Sequence, residues 1–363
     1  MQTRMRIMTI IGTRPEIIRL SRIIPALDRA CNHVLVHTGQ NFTRSLRDIF
    51  FDELGIRHPD YMFECTSTSP ISEIARILVD CERAIAKERP DRILILGDTN
   101  SGLASIVGKR NGIPVFHMEA GNRCYDDRVP EEVNRRIIDH CSDILMPYTE
   151  RSRANLLREG IPNDRIFVTG NPIKEVIDYY TQGIDHSRIK KELGLSKNGY
   201  FLATLHRAEN VDAGNRLKKF MMAFKTLSSN YGIPVVLSMH PRTRSRLSTQ
   251  SLKIECRGIR VIEPPGFIDF IHLEKSAKCV LTDSGTVQEE CCILGKPTVT
   301  LRDVTERPET IEAGSNILSG AELEDIVRCV DLVLSQSTAW CPPREYQVNS
   351  VSQTATRILL GYN

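Results

Sequence analysis

The stretch Cys279-Val-Leu-Thr-Asp-Ser-Gly-Thr-Val-Gln-Glu-Glu-Cys-Cys-Ile-Leu-Gly-Lys-Pro297 predicts one complete strand–turn–helix unit. The apolar residues up to Leu281 are typical of a buried strand, Ser284 and Gly285 allow the backbone to turn, and helical spacing resumes at Val287. Exposed N–H groups at such a helix start attract anions, so the same stretch predicts a phosphate site. A serine-capped helix with solvated glutamates is the simpler alternative.

Short apolar runs alternate with helix-spaced segments along the whole chain, which is the pattern of parallel strands joined by helices. The predicted strands are 7–11, 34–37, 93–96, 115–117, 144–147, 201–205, 235–239, 260–262, 280–282 and 298–301. The predicted helices are 17–27, 72–87, 102–110, 217–227, 266–275, 287–294 and 323–334. This βαβ alternation predicts an α/β fold with two Rossmann-like, doubly wound domains.

The division between the two domains is predicted at the turn Gly170-Asn-Pro172, after which the second set of strands begins. Residues 1–169 then form the first domain and residues 170–347 the second. The helical pattern within 348–363 is expected to pack back on the first domain. Ligands of open α/β sheets bind beyond the carboxyl ends of the strands, so a cleft faced by both domains is the expected site.

Composition argues against several classes of protein. The chain has 363 residues, and its net charge of +3 is spread along the sequence, which argues against nucleic-acid binding and membrane insertion. Its 11 cysteines form no Cys-x-x-Cys pair and are interpreted as reduced thiols rather than zinc ligands. No long apolar run follows the first residues, so the cytoplasm is the expected location.

A turn with a phosphate-binding character follows the first predicted strand. In Gly12-Thr-Arg-Pro-Glu16, Gly12 allows the turn and Arg14 offers a guanidinium fork to phosphate. The spacing matches neither a Walker A loop nor Gly-x-Gly-x-x-Gly, which argues against an ATPase or a simple dinucleotide fold. An ordinary βα turn with an exposed arginine is the alternative.

Three carboxylates of the first half are candidates for acid–base chemistry. Asp98 and Glu119 each follow a predicted strand, and Glu131 lies in the first turn of a helix that opens at Pro130. Helix capping is the alternative role for Asp98 and Glu131. If all three point into one partly dry cleft, their repulsion raises at least one pKa and provides an acid and a base.

Basic side chains follow the strands of the second half in the same way. His206 and Arg207 come directly after one predicted strand, and His240 ends the next. Arg307 lies in the loop Thr305-Glu-Arg-Pro-Glu309, which offers a second guanidinium. These side chains are candidates for binding a diphosphate or assisting a leaving oxygen, although a lone histidine is more often structural.

Together, in their order and spacing, these motifs resemble the non-hydrolysing UDP-N-acetylglucosamine 2-epimerase family over nearly the whole chain. The resemblance is carried by Gly12-Thr-Arg-Pro-Glu16, Thr38-Gly-Gln40, Gly97-Asp-Thr99, His117-Met-Glu-Ala-Gly121, Pro130-Glu-Glu-x-Asn-Arg135, His206-Arg207, Asp283-Ser-Gly285 and Thr305-Glu-Arg-Pro-Glu309. It implies a fold like that of GT-B glycosyltransferases and usually a homodimer. It also implies UDP binding mainly by the second domain, with no metal and no other cofactor.

The resemblance further implies a reaction on a UDP-amino sugar. Loss of the C1 diphosphate and the C2 proton gives a 2-acetamidoglycal, and re-addition of UDP with protonation of the other face gives the epimer. Asp98, Glu119 and Glu131 are then the acid–base candidates, and His206 assists the leaving diphosphate. The residues implied for UDP binding are Arg14, Arg19, Phe267, Ser284, Gly285, Thr286, Glu290 and Arg307.

Three departures from the family pattern indicate a subgroup. Thr286 stands where a second glycine is common, Asn41 stands where a histidine is usual, and the segment between Gly121 and Pro130 is short. The Asn41 departure argues against the allosteric substrate site of bacterial relatives. The chain looks most like the enzymes that form UDP-N-acetyl-L-fucosamine from UDP-2-acetamido-2,6-dideoxy-L-talose for capsule or O-antigen.

Four alternatives accompany this interpretation. A UDP-N-acetylglucosamine 2-epimerase would make UDP-N-acetylmannosamine, and a hydrolysing epimerase would release free sugar and UDP. A GT-B glycosyltransferase would need an acceptor groove but not three carboxylates around the donor sugar. A non-catalytic nucleotide-sugar sensor would keep Arg14, Ser284 and Glu290 and would not need the carboxylates.

Overall fold

The chain divides into two compact units. The computed structural model describes residues 4–40, 44–64, 69–212, 215–249, 257–336 and 339–362. The first unit comprises Met1–Val176 and Glu345–Asn363, and the second comprises Ile177–Arg344. The divisions expected after 169 and after 347 are therefore shifted. The first division lies later than predicted because the turn at Gly170 belongs to the first unit, where it is close to Val348.

The first unit contains a six-stranded parallel sheet in the order β3-β2-β1-β4-β5-β6. Its strands are β1 (Arg6–Ile11), β2 (Asn32–His37), β3 (Tyr61–Met62), β4 (Arg92–Leu96), β5 (Val115–Met118) and β6 (Ile144–Met146). Five of the six were predicted from their apolar runs. The strand β3 was missed because two residues are too few to show a pattern.

Helices cover this sheet. They are α1 (Arg14–Leu20), α2 (Ile23–Ala30), α3 (Arg44–Glu53), α4 (Pro70–Glu88), α5 (Ala104–Arg110), α6 (Pro130–Cys141), α7 (Glu150–Arg158) and α8 (Ile173–His186), the last running into the second unit. The single helix predicted at 17–27 is wrong, because the chain forms α1 and α2 there instead. A new helix start at Ile23 places Pro25 in a first turn, where its missing N–H is not needed.

The second unit repeats this arrangement with a sheet in the order β12-β11-β10-β7-β8-β9. Its strands are β7 (Phe201–Leu205), β8 (Val235–Met239), β9 (Ile259–Ile262), β10 (Val280–Thr282), β11 (Thr298–Thr300) and β12 (Asn316–Leu318). Its helices are α9 (Ile189–Glu192), α10 (Ala208–Val211), α11 (Arg216–Tyr231), α12 (Pro241–Thr249), α13 (Phe267–Ser276), α14 (Gly285–Leu294), α15 (Pro308–Glu312) and α16 (Leu323–Ser335).

Both sheets therefore have the same doubly wound topology, and the predicted α/β fold with two such domains is confirmed. In each sheet the strand order reverses between the first and the fourth strand along the chain. The neighbours at this point are β1 and β4 in the first unit and β7 and β10 in the second. Loops that leave these strands separate on opposite faces, so each reversal point opens a crevice suited to a ligand.

The last helix, α17 (Val351–Gly361), belongs to the first unit and packs on α2. Leu359 is fully buried, and its carbonyl accepts a hydrogen bond from the Arg92 guanidinium. At the other end of the helix, Glu175 Oε2 accepts from the backbone N–H of Ser352 at 2.8 Å. Both ends of α17 are thus fastened to the first unit.

Several sequence expectations concern metals, thiols and membranes. Within the described ranges, no three or more His, Cys, Asp and Glu side chains are grouped as metal ligands would be. The nine described cysteines are free, and most are buried. In that part of the chain no helix combines the length and apolar character needed to span a membrane. Asn41 lies outside the described residues.

Candidate active site

A buried carboxylate closes the turn between β1 and α1. Glu16 Oε2 accepts hydrogen bonds from the backbone N–H groups of Gly12 at 2.5 Å and Thr13 at 2.7 Å, and the Thr13 contact is part of a capping box. Its other oxygen, Oε1, accepts from the Thr99 hydroxyl at 2.5 Å. Because Thr99 follows β4, Glu16 is hydrogen-bonded to the loops after both β1 and β4, the two strands at the reversal point.

Glu16 has an unusual protonation equilibrium. Burial raises the pKa of Glu16 to about 7, although the hydrogen bonds from Thr99, Gly12 and Thr13 lower it in part and the charge of Asp98 adds to the rise. A carboxyl group with this pKa is divided between its charged and neutral forms near neutral pH. The charge at the base of this crevice therefore changes across the physiological range.

Asp98 follows β4 and is held by two side chains of α6. Arg135 Nε and Nη2 lie 2.8 and 2.7 Å from Asp98 Oδ2, and Asn134 Nδ2 donates to the Asp98 carbonyl at 3.0 Å. The Asp98 side chain nevertheless remains 24% exposed. A fixed, ion-paired and accessible carboxylate is suited to accept a proton from a ligand.

Glu119 is held in a backbone conformation that is rare for glutamate. Its φ is 67°, in the left-handed region, which costs about 1–2 kcal/mol for a residue with a Cβ atom. Its carboxylate is ion-paired with the buried Arg19 guanidinium, and Oε2 also accepts from the Tyr148 hydroxyl at 3.3 Å. Asn122 Nδ2 donates to Oε1 at 3.3 Å. These contacts over-determine the position of Glu119, as is common at functional sites.

Asp98 directly follows Gly97 in the chain, and the Glu119 carboxylate lies near Gly97. A Cβ atom placed on Gly97 would lie 3.6 Å from Glu119 Oε2. Gly97 has a φ of 79° and donates its N–H to the Met118 carbonyl at 3.1 Å. Two of the three predicted carboxylates therefore share one end of the sheet.

The third predicted carboxylate, Glu131, is partly buried in the first turn of α6, one turn before Arg135. The adjacent Glu132 is fully buried and accepts from the backbone N–H groups of Cys124 and Tyr125, each at 3.0 Å, and from Arg135 Nη1 at 2.7 Å. Burial opposes ionisation, but these bonds outweigh it and lower the pKa of Glu132. Glu132 thus has a structural role and orients Arg135.

A buried histidine supports the backbone of this site. His117 Nδ1 lies 2.8 Å from Asp139 Oδ1, and Nε2 lies 2.9 Å from the Gly97 carbonyl. Burial opposes the charge of Asp139, but His117 and Arg123 outweigh it and lower the pKa of Asp139. His117 thus fixes the carbonyl of the glycine between the two candidate carboxylates.

In the second unit, a carboxylate at the end of β10 is enclosed by donors that follow β7. The fully buried Asp283 accepts from the backbone N–H groups of His206 and Arg207, each at 3.0 Å, and from Asn210 Nδ2 at 3.2 Å. Burial alone would raise the pKa of Asp283, but the charge and hydrogen bonds of His206 and the Arg207 N–H hold it well below its usual range. Asp283 thus joins the strands of the second reversal point, as Glu16 does in the first.

His206 presents its ring from this turn. Its Nδ1 lies 3.1 Å from Asp283 Oδ1, and about a third of the side chain is exposed. The His240 ring is 5.7 Å away between centroids. Because Asp283 accepts at Nδ1, Nε2 is the nitrogen that can exchange a proton with a ligand.

The helix α14 begins with two hydroxyl groups and a required glycine. Ser284 Oγ and Thr286 Oγ1 lie 3.0 Å apart, and Gln288 Nε2 donates to the Ser284 carbonyl at 3.2 Å. A Cβ atom on Gly285 would lie only 2.5 Å from Glu306 Oε1, so a larger residue would force that carboxylate to move. The hydroxyls and the first N–H groups of this ten-residue helix form a group suited to an anion.

Buried arginine–glutamate pairs lie behind this turn. Arg307 is ion-paired with Glu289, and Glu306 contacts Arg302 Nη1 at 2.7 Å and Arg207 Nη2 at 3.2 Å. Arg302 and Arg307 are 1% and 3% exposed. Removing one partner of such a pair would leave an uncompensated buried charge.

The other residues predicted to bind UDP occupy different settings. Arg14 lies in the first turn of α1, 5.6 Å from the centre of an aromatic ring of α3. Arg19 is buried as the counter-ion of Glu119. Phe267 is buried at the start of α13, edge-on to the Tyr180 ring at 6.2 Å between centroids.

Several site residues were missed from the sequence. Glu16 stands three residues after Thr13, which is the capping-box signature, but its link to Thr99 depends on the fold. Arg135 follows Glu131 by one helical turn, so a shared face was detectable. Glu274 lies on an otherwise apolar face of α13. From the sequence it could be noticed only as a single acidic residue that interrupts the apolar spacing.

Comparisons with known proteins agree with this architecture. A family model described as UDP-N-acetylglucosamine 2-epimerase matches residues 26–360. A UDP-N-acetylglucosamine 2-epimerase of Methanocaldococcus jannaschii is 41% identical over 93% of this chain and 95% of its own length. A UDP-2,3-diacetamido-2,3-dideoxy-D-glucuronate 2-epimerase of Pseudomonas aeruginosa is 40% identical over 89% of this chain and 90% of its own.

A solved structure gives the same result. The crystal structure of Methanocaldococcus jannaschii UDP-GlcNAc 2-epimerase in complex with UDP-GlcNAc and UDP matches with a TM-score of 0.93 at 39% identity. The match covers 98% of this chain and 99% of that one. The family predicted from the motifs is confirmed. The chain belongs to the UDP-N-acetylglucosamine 2-epimerase family and is an isomerase of the sugar-nucleotide 2-epimerase class.

Proposed function

We propose that this protein inverts C2 of a UDP-linked 2-acetamido sugar by eliminating and re-adding UDP, without hydrolysis. A carboxylate takes the C2 proton while the C1–O bond breaks, and the bonding electrons leave with UDP. The product of this half-reaction is a 2-acetamidoglycal. UDP then adds back at C1 as an acid delivers a proton to the opposite face of C2.

The observation that carries this proposal is the pair of carboxylates beside Gly97. Asp98 and Glu119 are each ion-paired with an arginine, and Asp98 remains partly exposed. Glu131 is the third acid–base candidate, one turn from Arg135. A base for one face and an acid for the other are the minimum that inversion at C2 requires.

The nucleotide is assigned mainly to the second unit. The start of α14 provides hydroxyls and backbone N–H groups for the diphosphate, and His206 Nε2 is suited to protonate the leaving oxygen. The proposed UDP-binding set is Arg14, Arg19, Phe267, Ser284, Gly285, Thr286, Glu290 and Arg307.

The decisive experiment incubates the protein with UDP-2-acetamido sugars in heavy water and follows C2 by NMR. Elimination and re-addition must exchange the C2 proton with solvent, so deuterium is expected in both epimers. Turnover without deuterium at C2 and without free sugar would favour a glycosyltransferase and overturn the proposal. Accumulation of free sugar and UDP would indicate the hydrolysing reaction instead.

Two substitutions test the assigned carboxylates. Asp98→Asn and Glu119→Gln are each expected to lower turnover at least about a hundredfold, the usual contribution of an acid or base. UDP binding, measured by calorimetry, should persist in both variants. Glu82→Gln changes an exposed carboxyl of the same unit and serves as the control. Rates close to those of the wild type in both variants would contradict the assignment.

Within this reaction class, we propose UDP-N-acetyl-L-fucosamine as the product, with a role in capsule or O-antigen synthesis. Gly285-Thr286 supports this choice, and UDP-N-acetylmannosamine from UDP-N-acetylglucosamine is the alternative. The relative from Pseudomonas aeruginosa, named for a 2,3-diacetamido-glucuronate, is nearly as similar as the archaeal UDP-N-acetylglucosamine enzyme. The 6-deoxy-talose, gluco and diacetamido-glucuronate compounds are therefore compared by kcat/KM, and a preference for either of the last two would refute the fucosamine proposal.

The oligomeric state and location are part of the same proposal. A cytoplasmic homodimer is expected from the resemblance to the family. Light scattering during size-exclusion chromatography should give about twice the 41.0 kDa mass of one chain. A monomeric mass at micromolar concentration would refute the dimer, and fractionation of cells tests the location.

A further inference from the structure

Glu274 is a carboxyl group at a position where the fold otherwise places apolar side chains. It lies in the last turn of α13, is fully buried, and faces α14. Neighbouring Leu273 and Ala277 belong to an apolar cluster with Val287 and Cys291 of α14. A buried acid costs several kcal/mol unless it remains neutral or is hydrogen-bonded, so its presence calls for a function.

The contacts of the Glu274 carboxyl group show whether it is neutral or hydrogen-bonded. Among the residues that the structure describes, no donor reaches either of its carboxyl oxygens. The side chain within hydrogen-bonding reach is that of Glu290, itself only 5% exposed. Two ionised carboxylates in contact in a dry interior repel strongly, so one must carry a proton, which then forms a hydrogen bond to the other.

The positions of Glu274 in α13 and Glu290 in α14 determine which of the two carries the proton. Glu274 lies at the carboxyl end of α13, where the helix dipole disfavours a negative charge. Glu290 lies within α14, on the helix whose start forms the proposed anion site. The neutral group is therefore Glu274 and the carboxylate is Glu290.

We propose that Glu274 is a positioning residue that donates a hydrogen bond to Glu290 and so aligns the Glu290 carboxylate to accept the ribose hydroxyls of UDP. This inference rests on the proposed function, in which Glu290 binds the nucleotide. An O–H donor behind the carboxylate fixes its orientation towards the ribose hydroxyls.

Two titratable groups among the described residues are influenced by the charge of Glu274. They are Tyr200 before β7 and Cys291 of α14. Burial and the charge of Glu290 raise the pKa of Glu274 well above its ordinary value. Burial and Glu274 also raise the pKa values of Tyr200 and Cys291. Both groups therefore stay neutral near pH 7, and the pair holds one proton and one negative charge.

The test compares UDP with 2′-deoxy-UDP, which lacks one ribose hydroxyl, by calorimetry on the full-length protein. A hydrogen bond to a charged group is worth about 1.5–3 kcal/mol, so wild-type protein should bind UDP at least about tenfold more tightly than 2′-deoxy-UDP. Glu290→Gln, as the reference, should lose this preference. Glu274→Met keeps the side-chain volume without an O–H, and should weaken UDP binding about tenfold while leaving 2′-deoxy-UDP binding nearly unchanged.

A conservative variant separates positioning from packing. Glu274→Gln can donate from its amide to Glu290 without titrating, so it should restore the preference for UDP. As the pH is raised above neutrality, the preference should fall in the wild type, because Glu274 loses its proton, and stay constant in Glu274→Gln. This pH comparison carries the test if Glu274→Met does not fold.

The outcomes distinguish the inference from the function on which it rests. Equal weakening of both nucleotides in Glu274→Met, or an undiminished preference for UDP, would show that Glu274 only packs and would overturn the inference. A pH-independent preference in the wild type would do the same. Failure of the wild type to bind UDP at all would instead overturn the proposed function.

Discussion

Glu16 and Asp283 have the same structural role in the two units, but their pKa values are shifted in opposite directions. Each accepts hydrogen bonds from the turn after the first strand of its unit, and each links that turn to the fourth strand. Both are buried, yet the pKa of Glu16 is raised and that of Asp283 is lowered. The difference lies in their neighbours, because Asp283 faces the charge of His206 whereas Glu16 has neutral donors and the negative charge of Asp98.

Glu16→Gln is expected to flatten the pH dependence of stability between about pH 4.5 and 7. The folded state holds the Glu16 proton more tightly than the unfolded state, whose reference pKa is 4.5. The free energy of unfolding is therefore highest below pH 4.5 and falls as the pH rises towards 7. A shift of this size corresponds to about 3 kcal/mol at most.

Urea unfolding at pH 5 and pH 8 measures this effect as the difference between wild type and variant. Gln keeps one oxygen for Gly12 and Thr13, and its amide can donate to the Thr99 hydroxyl. Glu82→Gln, an exposed carboxyl of the same unit, should retain the wild-type fall. The expectation is wrong if Glu16→Gln loses as much stability between the two pH values as the wild type.

At the scale of elements, the prediction of strands and helices from the sequence succeeded best for the longer elements. Long apolar strands and helices were predicted because their periodicity extends over enough residues, whereas β3, with two residues, left no pattern. The strand β12 was also missed. The helix predicted at 17–27 was wrong because a new helix begins at Ile23 and contains Pro25 in its first turn. The strand ends nevertheless located the candidate carboxylates, because polar residues after apolar strands need no tertiary information.

Contacts between distant elements could not be predicted in this way. Arg135 and Asp98 are separated by 37 positions in the chain and meet only once α6 packs beside the end of β4. Glu274 and Glu290 lie on different helices, and nothing in either helix alone identifies the other as a partner. The sequence thus located the candidate site but not the side chains that orient its members.

The junction of β1, α1 and the loop after β4 requires a glycine, and Gly12→Ala tests this. A Cβ atom on Gly12 would lie 2.0 Å from Ser101 Oγ and 2.3 Å from Thr38 Oγ1, and these two hydroxyls hydrogen-bond each other at 2.7 Å. The variant should lose about 1–3 kcal/mol of unfolding free energy and also activity, because the turn that carries Arg14 must shift.

Urea unfolding measures the loss, and Gly361→Ala provides the control. A Cβ atom on Gly361 meets no atom within 4 Å, and this residue also lies in the first unit. Its substitution should change the free energy of unfolding by less than about 0.5 kcal/mol. Equal stability of the two variants would show that the junction relaxes without cost.

At the scale of the whole molecule, the same topology carries two different sets of polar residues. Each unit has a six-stranded sheet with a reversal between its first and fourth strands, and each places its polar residues there. The residues at the two points differ in kind. The first unit gathers carboxylates with arginine partners, and the second gathers hydroxyls, a helix start and a histidine. One fold thus provides the proposed proton transfer in one unit and the proposed nucleotide binding in the other.

The two units also differ in how the chain builds them, and Leu359→Ala tests the consequence. The second unit is continuous, whereas the first needs the distant helix α17, in which Leu359 is fully buried. Truncating a buried leucine costs about 2–5 kcal/mol, and this loss should fall on the first unit.

Limited proteolysis of Leu359→Ala should therefore cut within residues 4–176 before residues 177–344, while UDP binding by calorimetry stays at the wild-type level. Gln353→Ala, on the exposed face of α17, should behave as the wild type. Simultaneous loss of protection in both units would show that they unfold as one cooperative body.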